Sequence, residues 1–178
     1  WRFGATEMSS PDLVEDRHYL YEVYQASKTD FTGRVTAPVL YDTQTKRIVN
    51  NESREIMRML DGAFNHWGKG CQNFYPPSLR DDVETMNKLI LQNVAEGVYR
   101  AGFAQSQERY DKAIAALFDT LDELEKRVAS QAFLLGSRVT ESDWHLFPVL
   151  VRFDLVYHTI LRCNVRRLAD YPALSAYM

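Results

Sequence analysis

The sequence predicts an α+β protein, a small α/β unit followed by an all-helical domain. Three observations predict it. Two short β-type runs separated by polar turn residues lie in the first part of the chain and end at Asn50. From Glu52 onward the apolar residues recur with a period near 3.6. Between the two patterns the stretch from Gly68 to Pro77 is rich in Gly and Pro, which places a boundary there: residues 1–68 form the first unit and residues 77–178 the second.

Residues 1–16 are polar, with Ser9, Ser10 and Pro11 together, and read as irregular. Tyr19, Leu20, Val23 and Tyr24 share one side of a short helix. Val35 to Leu40 and Arg47 to Asn50 are β-type runs joined by the polar turn Asp42 to Lys46, so the pair reads as a hairpin. Pro38 lacks a ladder donor, which puts the first run at an edge or gives the proline a special role. Ile56, Met59, Leu60 and Phe64 form the stripe of a helix expected to stop near Gly68. Leu79, Val83, Met86, Ile90 and Val94 form the next stripe, broken by Gly97 to Gly102. Tyr110, Ile114, Leu117, Leu121, Leu124 and Val128 form another. Thr140 and Asp143 have capping-box spacing, with Val139 and Trp144 as a hydrophobic staple. That helix should run through Phe147, Val151, Leu155 and Leu161, kinked at Pro148.

Composition narrows the function. With 46% hydrophobic residues, 25% charged and a net charge of −3, the chain is an ordinary globular one. At 178 residues it can bury about 70% of its unfolded surface. A slightly acidic surface argues against a nucleic-acid binder, and no apolar run approaches the ~20 residues of a membrane span. Two cysteines, Cys71 and Cys163, make no disulfide framework, so a reducing, cytoplasmic setting is expected. His18, His66, His145 and His158 never fall at metal-ligand spacing, so no metal is expected. The start at Trp1 and the helical turns from Pro172 to Met178 read as the ends of a piece of a longer protein.

Two features point to chemistry. Ala37-Pro38 lies beside the hairpin, and a cis bond there would show the backbone of Ala37 to a ligand, although an edge-strand proline would look the same. Asn51-Glu52-Ser53 lies between strand and helix, where unpaired N–H groups suit a carboxylate. Ser53 adds a hydroxyl and Glu52 an acceptor for an ammonium group; an ordinary helix start is the plain alternative. Cys71 and Cys163 read as small apolar residues. Arg166 and Arg167 read as a solvated basic cluster.

With the domain order, these residues resemble a glutathione transferase. More narrowly, Gly33 to Leu40, Ile48 to Ser53, Ile56 to Met59, Gly97 to Ala104, Val151 to Tyr157 and Cys163 to Pro172 resemble the glutathionyl-hydroquinone reductases, the Xi class. The resemblance implies a truncated thioredoxin-like unit followed by an all-α glutathione-transferase C-terminal domain. It implies glutathione as co-substrate, held by Ala37, Pro38, Glu52 and Ser53, with Arg34 and Trp1 in the same pocket. Tyr99 and Tyr157 would be the catalytic side chains, their hydroxyls around the quinol ring at the mouth of the glutathione site. The catalytic cysteine would lie upstream of Trp1, so that the piece alone would be inactive. The expected partners are glutathione and a quinol conjugate, with a homodimer and no nucleic acid or membrane. An ordinary conjugating transferase, or a non-catalytic transferase-like interaction module, is the alternative.

Overall fold

A computed structural model of the chain describes residues 1–68 and 72–178. Two compact units divide it, residues 1–67 and residues 68–178.

In the first unit, helix α1 spans Leu20–Ser27. Its start is fixed by Glu22, whose carboxylate accepts from the N–H groups of His18 and Tyr19, both at 2.8 Å. That satisfies donors a helix start would otherwise leave open. Leu20, Val23 and Tyr24 are buried, with Phe3, Phe31, Val35, Val39, Tyr41 and Ile48 packed on them. Strands β1 (Leu40–Asp42) and β2 (Arg47–Asn50) pair antiparallel, Tyr41 opposite Ile48 and Asp42 opposite Arg47. Asp42 holds the turn, accepting from the Gln44 N–H and the Thr45 hydroxyl, each at 2.8 Å. The expected first strand is therefore shorter than the pattern suggested. Residues 35–39 form no strand, because Pro38 has no N–H to give and pairing starts only at Leu40. Helix α2 spans Ser53–Gly62 and stops six residues before the expected end. Only Ile56 on it is deeply buried, while Leu60, Phe64 and Trp67 are exposed, so no core face carries the helix further.

The second unit is helical. Helix α3 (Arg80–Leu89) follows a 3-10 turn at Pro77–Leu79 and widens into a π-helical segment, Ile90–Ala95. Gly97 to Gly102, expected to break the helix, is instead helix α4. Gly102 serves close packing: a Cβ there would lie 2.6 Å from Leu161 Cδ2. Helix α5 (Gln107–Ser130) is capped by the Ser106 hydroxyl, which accepts from Arg109 N–H at 3.3 Å. Helix α6 (Glu141–Arg152) begins at the Thr140–Asp143 box, where Thr140 N–H donates to Asp143 Oδ2 at 2.7 Å. Pro148 lies inside α6, which runs on to Arg152; a π-helical segment, Phe153–Tyr157, and helix α7 (His158–Ile160) follow. Helix α8 is Pro172–Tyr177, its first N–H groups capped by the carboxylate of Glu125 on α5.

The core of this unit joins α3 to α8 through Ile90, Val98, Leu117, Leu121, Leu146, Leu150, Phe153 and Leu174, among others. Inside it sits a polar knot. Ser142 donates to Asn87 Oδ1 at 2.7 Å, and Asn87 Nδ2 donates to Glu141 Oε1 at 2.6 Å, all three residues buried. The segment before Pro77 is tied to this unit rather than free: Glu141 N–H donates to Phe74 O at 2.9 Å, and Arg138 to Asn73 O at 2.8 Å.

Candidate functional site

Each unit carries one constellation. In the first, the Ala37–Pro38 peptide is cis. The residue before it is held from two sides. Tyr24 donates its hydroxyl to Thr36 O at 2.7 Å, and Asn51 Nδ2 donates to Thr36 Oγ1 at 3.0 Å. Asn51 belongs to the segment that opens α2, so this bond fixes the proline segment against the helix start. Glu52, the N-cap, has extended backbone, and its N–H donates to Asn50 Oδ1 at 2.8 Å. Ser53 begins the helix; both side chains are exposed, as a ligand at a helix N-terminus requires. A cavity of about 370 Å³ lies beside Ala37, with Trp1, Phe3, Leu20 and Val39 also in its wall. Thus Trp1 and Ala37 come to one cavity. Arg34 is exposed and is not part of that wall.

In the second unit the structure brings Tyr99 and Tyr157 together, their ring centroids 5.9 Å apart and the planes at 72°. Tyr99 lies within α4, not at a break, and is 47% exposed; Tyr157 is 3% exposed. Burial first, and the Tyr99 hydroxyl second, push the Tyr157 phenol up to about 12. It therefore stays protonated at neutral pH and can donate. Both tyrosines sit at helical irregularities, Tyr99 just after one π-helical segment and Tyr157 in the other. Such widened turns occur often at functional sites.

The sequence did not point to several supporting groups. Phe103 stacks along Tyr99 at 6.4 Å, and the Arg152 guanidinium lies 5.9 Å from the centre of the Tyr157 ring. The i, i+4 spacing of Tyr99 and Phe103 was the available signal for the first. Asn51 stood out in the sequence beside Glu52 and Ser53, but its bond to Thr36 could be found only from the fold. Cys163 is fully buried, and burial pushes its thiol up to about 11, which leaves it no nucleophile. Cys71 lies outside the described residues. Arg166 is not simply solvated: it pairs with Asp122 at 2.8 Å and lies 4.3 Å over the Tyr171 ring. Among the described residues there is no group of side chains that could hold a metal, and no helix long and apolar enough to cross a membrane.

A small α/β unit with a cis-proline beside a Glu-Ser helix start, followed by a helical domain, has the architecture of a glutathione transferase. Residues 107–178 match the family model "Glutathione S-transferase, C-terminal domain". The chain is 46% identical, over 98% of its length and 56% of the relative's, to the glutathionyl-hydroquinone reductase PcpF of Sphingobium chlorophenolicum. It is 41% identical, over 94% of its length and 51% of the relative's, to the glutathionyl-hydroquinone reductase YqjG of Escherichia coli. Among solved structures, the glutathione-bound structure of YqjG matches with a TM-score of 0.97 at 39% identity, over 99% of this chain and 58% of that one. The Xi transferase of Phanerochaete chrysosporium matches at 0.96 and 40% identity, over 100% of this chain and 62% of that one. Over its own length the chain is similar to the Xi class of glutathione transferases, and it spans about half the length of the curated relatives it matches.

Proposed function

We propose that this protein is a glutathione-dependent reductase that converts glutathionyl-hydroquinones to hydroquinones. The observation that carries the reading is the Tyr99–Tyr157 pair in a chain whose relatives are named for that reaction. An ordinary conjugating transferase or a non-catalytic module is not favoured by those relatives. Glutathione is held by the first unit. The Ala37 backbone beside Pro38 faces its cysteinyl part, while Glu52 and Ser53 take the charged γ-glutamyl end at the start of α2. Trp1 adds a wall to the pocket, and Arg34 a cation for a glutathione carboxylate.

On the family resemblance the attacking group is a cysteine thiolate upstream of residue 1 in a longer protein; Cys163, buried and protonated, does not suit the role. The thiolate attacks the sulfur that joins glutathione to the ring. The aryl carbon–sulfur bond breaks, a protein–glutathione disulfide forms, and the ring carbon takes a proton to give the free hydroquinone. A second glutathione thiolate then attacks that disulfide, releasing oxidised glutathione and the enzyme thiolate. Two electrons pass from the thiols to the ring, and the balance closes. Tyr99, the exposed member of the pair, donates its O–H to a ring oxygen as charge builds there, and Tyr157 supplies a second donor behind it.

The test is Tyr99→Phe and Tyr157→Phe in the full-length enzyme with a glutathionyl-hydroquinone as substrate. Each loss of a donor should slow turnover by roughly ten- to hundredfold, the worth of one hydrogen bond to a charged group, and leave glutathione affinity in place. Unchanged rates in both variants would overturn the assignment. The protein is further read as a cytoplasmic homodimer, on family resemblance and on the reducing conditions that thiol chemistry needs.

A further inference from the structure

We propose that the pocket beside Tyr99 receives a carboxylate carried on the aromatic half of the substrate, so that the enzyme prefers conjugates of hydroquinone acids. This rests on the reductase reading above and specifies its substrate class.

A pocket of about 890 Å³ opens between α4 and α5, with Tyr99 in its wall. That volume is near the upper end for small-molecule sites, roughly 300–1,000 Å³, and far exceeds what one six-membered ring fills. One wall is aromatic, since Tyr99 and Phe103 lie nearly parallel, one helical turn apart, with planes at 16°. The facing wall is α5, where Arg109, Lys112 and Ala116 line the pocket at i, i+3 and i+7.

The charge of this lining runs against that of the chain. Arg100, Arg109 and Lys112 face one carboxylate, Glu96, giving +2 where the whole sequence carries −3. Glu96 is engaged by Arg100 at 3.7 Å. Arg109 and Lys112, both exposed, have no carboxylate partner among the described residues. The nearby Asp111 accepts from Gln107 Nε2 at 2.7 Å and is not part of the lining. Two uncommitted cations opposite an aromatic wall suit a flat ring bearing an anion. The ring packs on Tyr99 and Phe103, and the carboxylate meets the planar guanidinium of Arg109, which can bind it with two parallel hydrogen bonds. Because Tyr99 belongs both to this wall and to the Tyr157 pair, a ring oxygen at its hydroxyl leaves the ring substituents pointing toward the cations. A neutral hydroquinone uses neither the charge nor most of the volume.

The experiment compares two substrates of the full-length enzyme, the glutathione conjugate of 2,5-dihydroxybenzoic acid and the same conjugate as its ring methyl ester. The acid should show kcat/KM about tenfold above the ester, the discrimination expected of one charge-assisted hydrogen bond. The preference should shrink as salt is added, because the cations are exposed. The double variant Arg109→Gln, Lys112→Gln should bring the acid-to-ester ratio to near one. Equal turnover of acid and ester by the unmodified enzyme overturns the inference and leaves the reductase reading standing, as does a preference that survives the double variant or is indifferent to salt. Failure to turn over either conjugate overturns the reductase reading, and this inference with it.

Discussion

Ser53 and Cys163 illustrate how one side chain's surroundings decide what it can do. Ser53 stands exposed at the first turn of a ten-residue helix, where N–H groups and hydroxyl together suit a carboxylate. In the full-length protein, Ser53→Ala should weaken glutathione binding by ~1–2 kcal/mol, measured by titration calorimetry. Unchanged affinity removes Ser53 from the site. Cys163 is the opposite case. Its sulfur lies among buried groups, 3.8 Å from Val98 O and 3.7 Å from Leu161 O. Burial raises its pKa from 9.0 to about 11, so the folded state favours the thiol over the thiolate. The stabilisation this gives is complete below pH 9 and is lost as pH rises through 11. The native protein at pH 8 should therefore leave Cys163 unmodified by iodoacetamide, and the unfolded protein should not; peptide mass spectrometry distinguishes the two. Rapid native labelling of that peptide contradicts the burial.

The start of α6 shows what one short element contributes. Asp143 accepts from Thr140 N–H at 2.7 Å, from Leu134 N–H at 2.9 Å and from the Tyr177 hydroxyl at 2.7 Å. It thereby joins the helix start to the preceding loop and to α8. Asp143→Ala leaves buried donors unmatched and should cost about 3 kcal/mol or more, well beyond the ~1 kcal/mol of a simple cap, read from urea unfolding. A cost near that of a surface change means the box is only local. The Thr140–Asp143 spacing was visible in sequence because capping acts over three residues. The Asn87–Glu141–Ser142 knot was not, since its partners lie 54 and 55 residues apart. The π-helical segments were equally hidden. Met86, Ile90, Val94 and Val98 keep an apolar spacing that a regular helix also satisfies, and the extra residue per turn leaves no mark on it. Gly97 and Gly102 misled because glycine in sequence signals a break, whereas here both lie within a helix and Gly102 permits close packing.

At the scale of the molecule, the two units differ in how they are built. The helical unit has a continuous core running through α3 to α8, which is why its stripes could be read directly. The first unit buries Leu20, Val23 and Tyr24 and leans on partly covered neighbours, so its short strands left only a faint pattern. Its proposed glutathione residues became legible only through resemblance. Ala37 and Pro38 owe their placement to the bonds from Tyr24 and Asn51 to Thr36, which join residues 12 and 15 positions apart and leave no mark in the sequence. The homodimer belongs to this scale as well: sedimentation of the full-length protein at micromolar concentration should give twice the monomer mass, and a monomer there overturns the proposal.

The approach of Leu161 to Gly102 bears on which sequences this fold can explore. Any side chain at position 102 must displace Leu161, whose Cβ would stand 2.9 Å from the newcomer, and the same turn is pinned where Arg162 donates to Gly102 O at 2.9 Å and Tyr110 to Arg162 O at 2.6 Å. Gly62, at the end of α2, has nothing within 4 Å of an added Cβ. In a saturation library selected for soluble expression, position 102 should tolerate almost nothing but glycine. Position 62 should accept alanine with a gain of about 0.4–1 kcal/mol from the lost freedom of the unfolded chain. Two residues identical in name thus set opposite bounds on neutral drift: one closes a corridor between related sequences, and the other leaves it open.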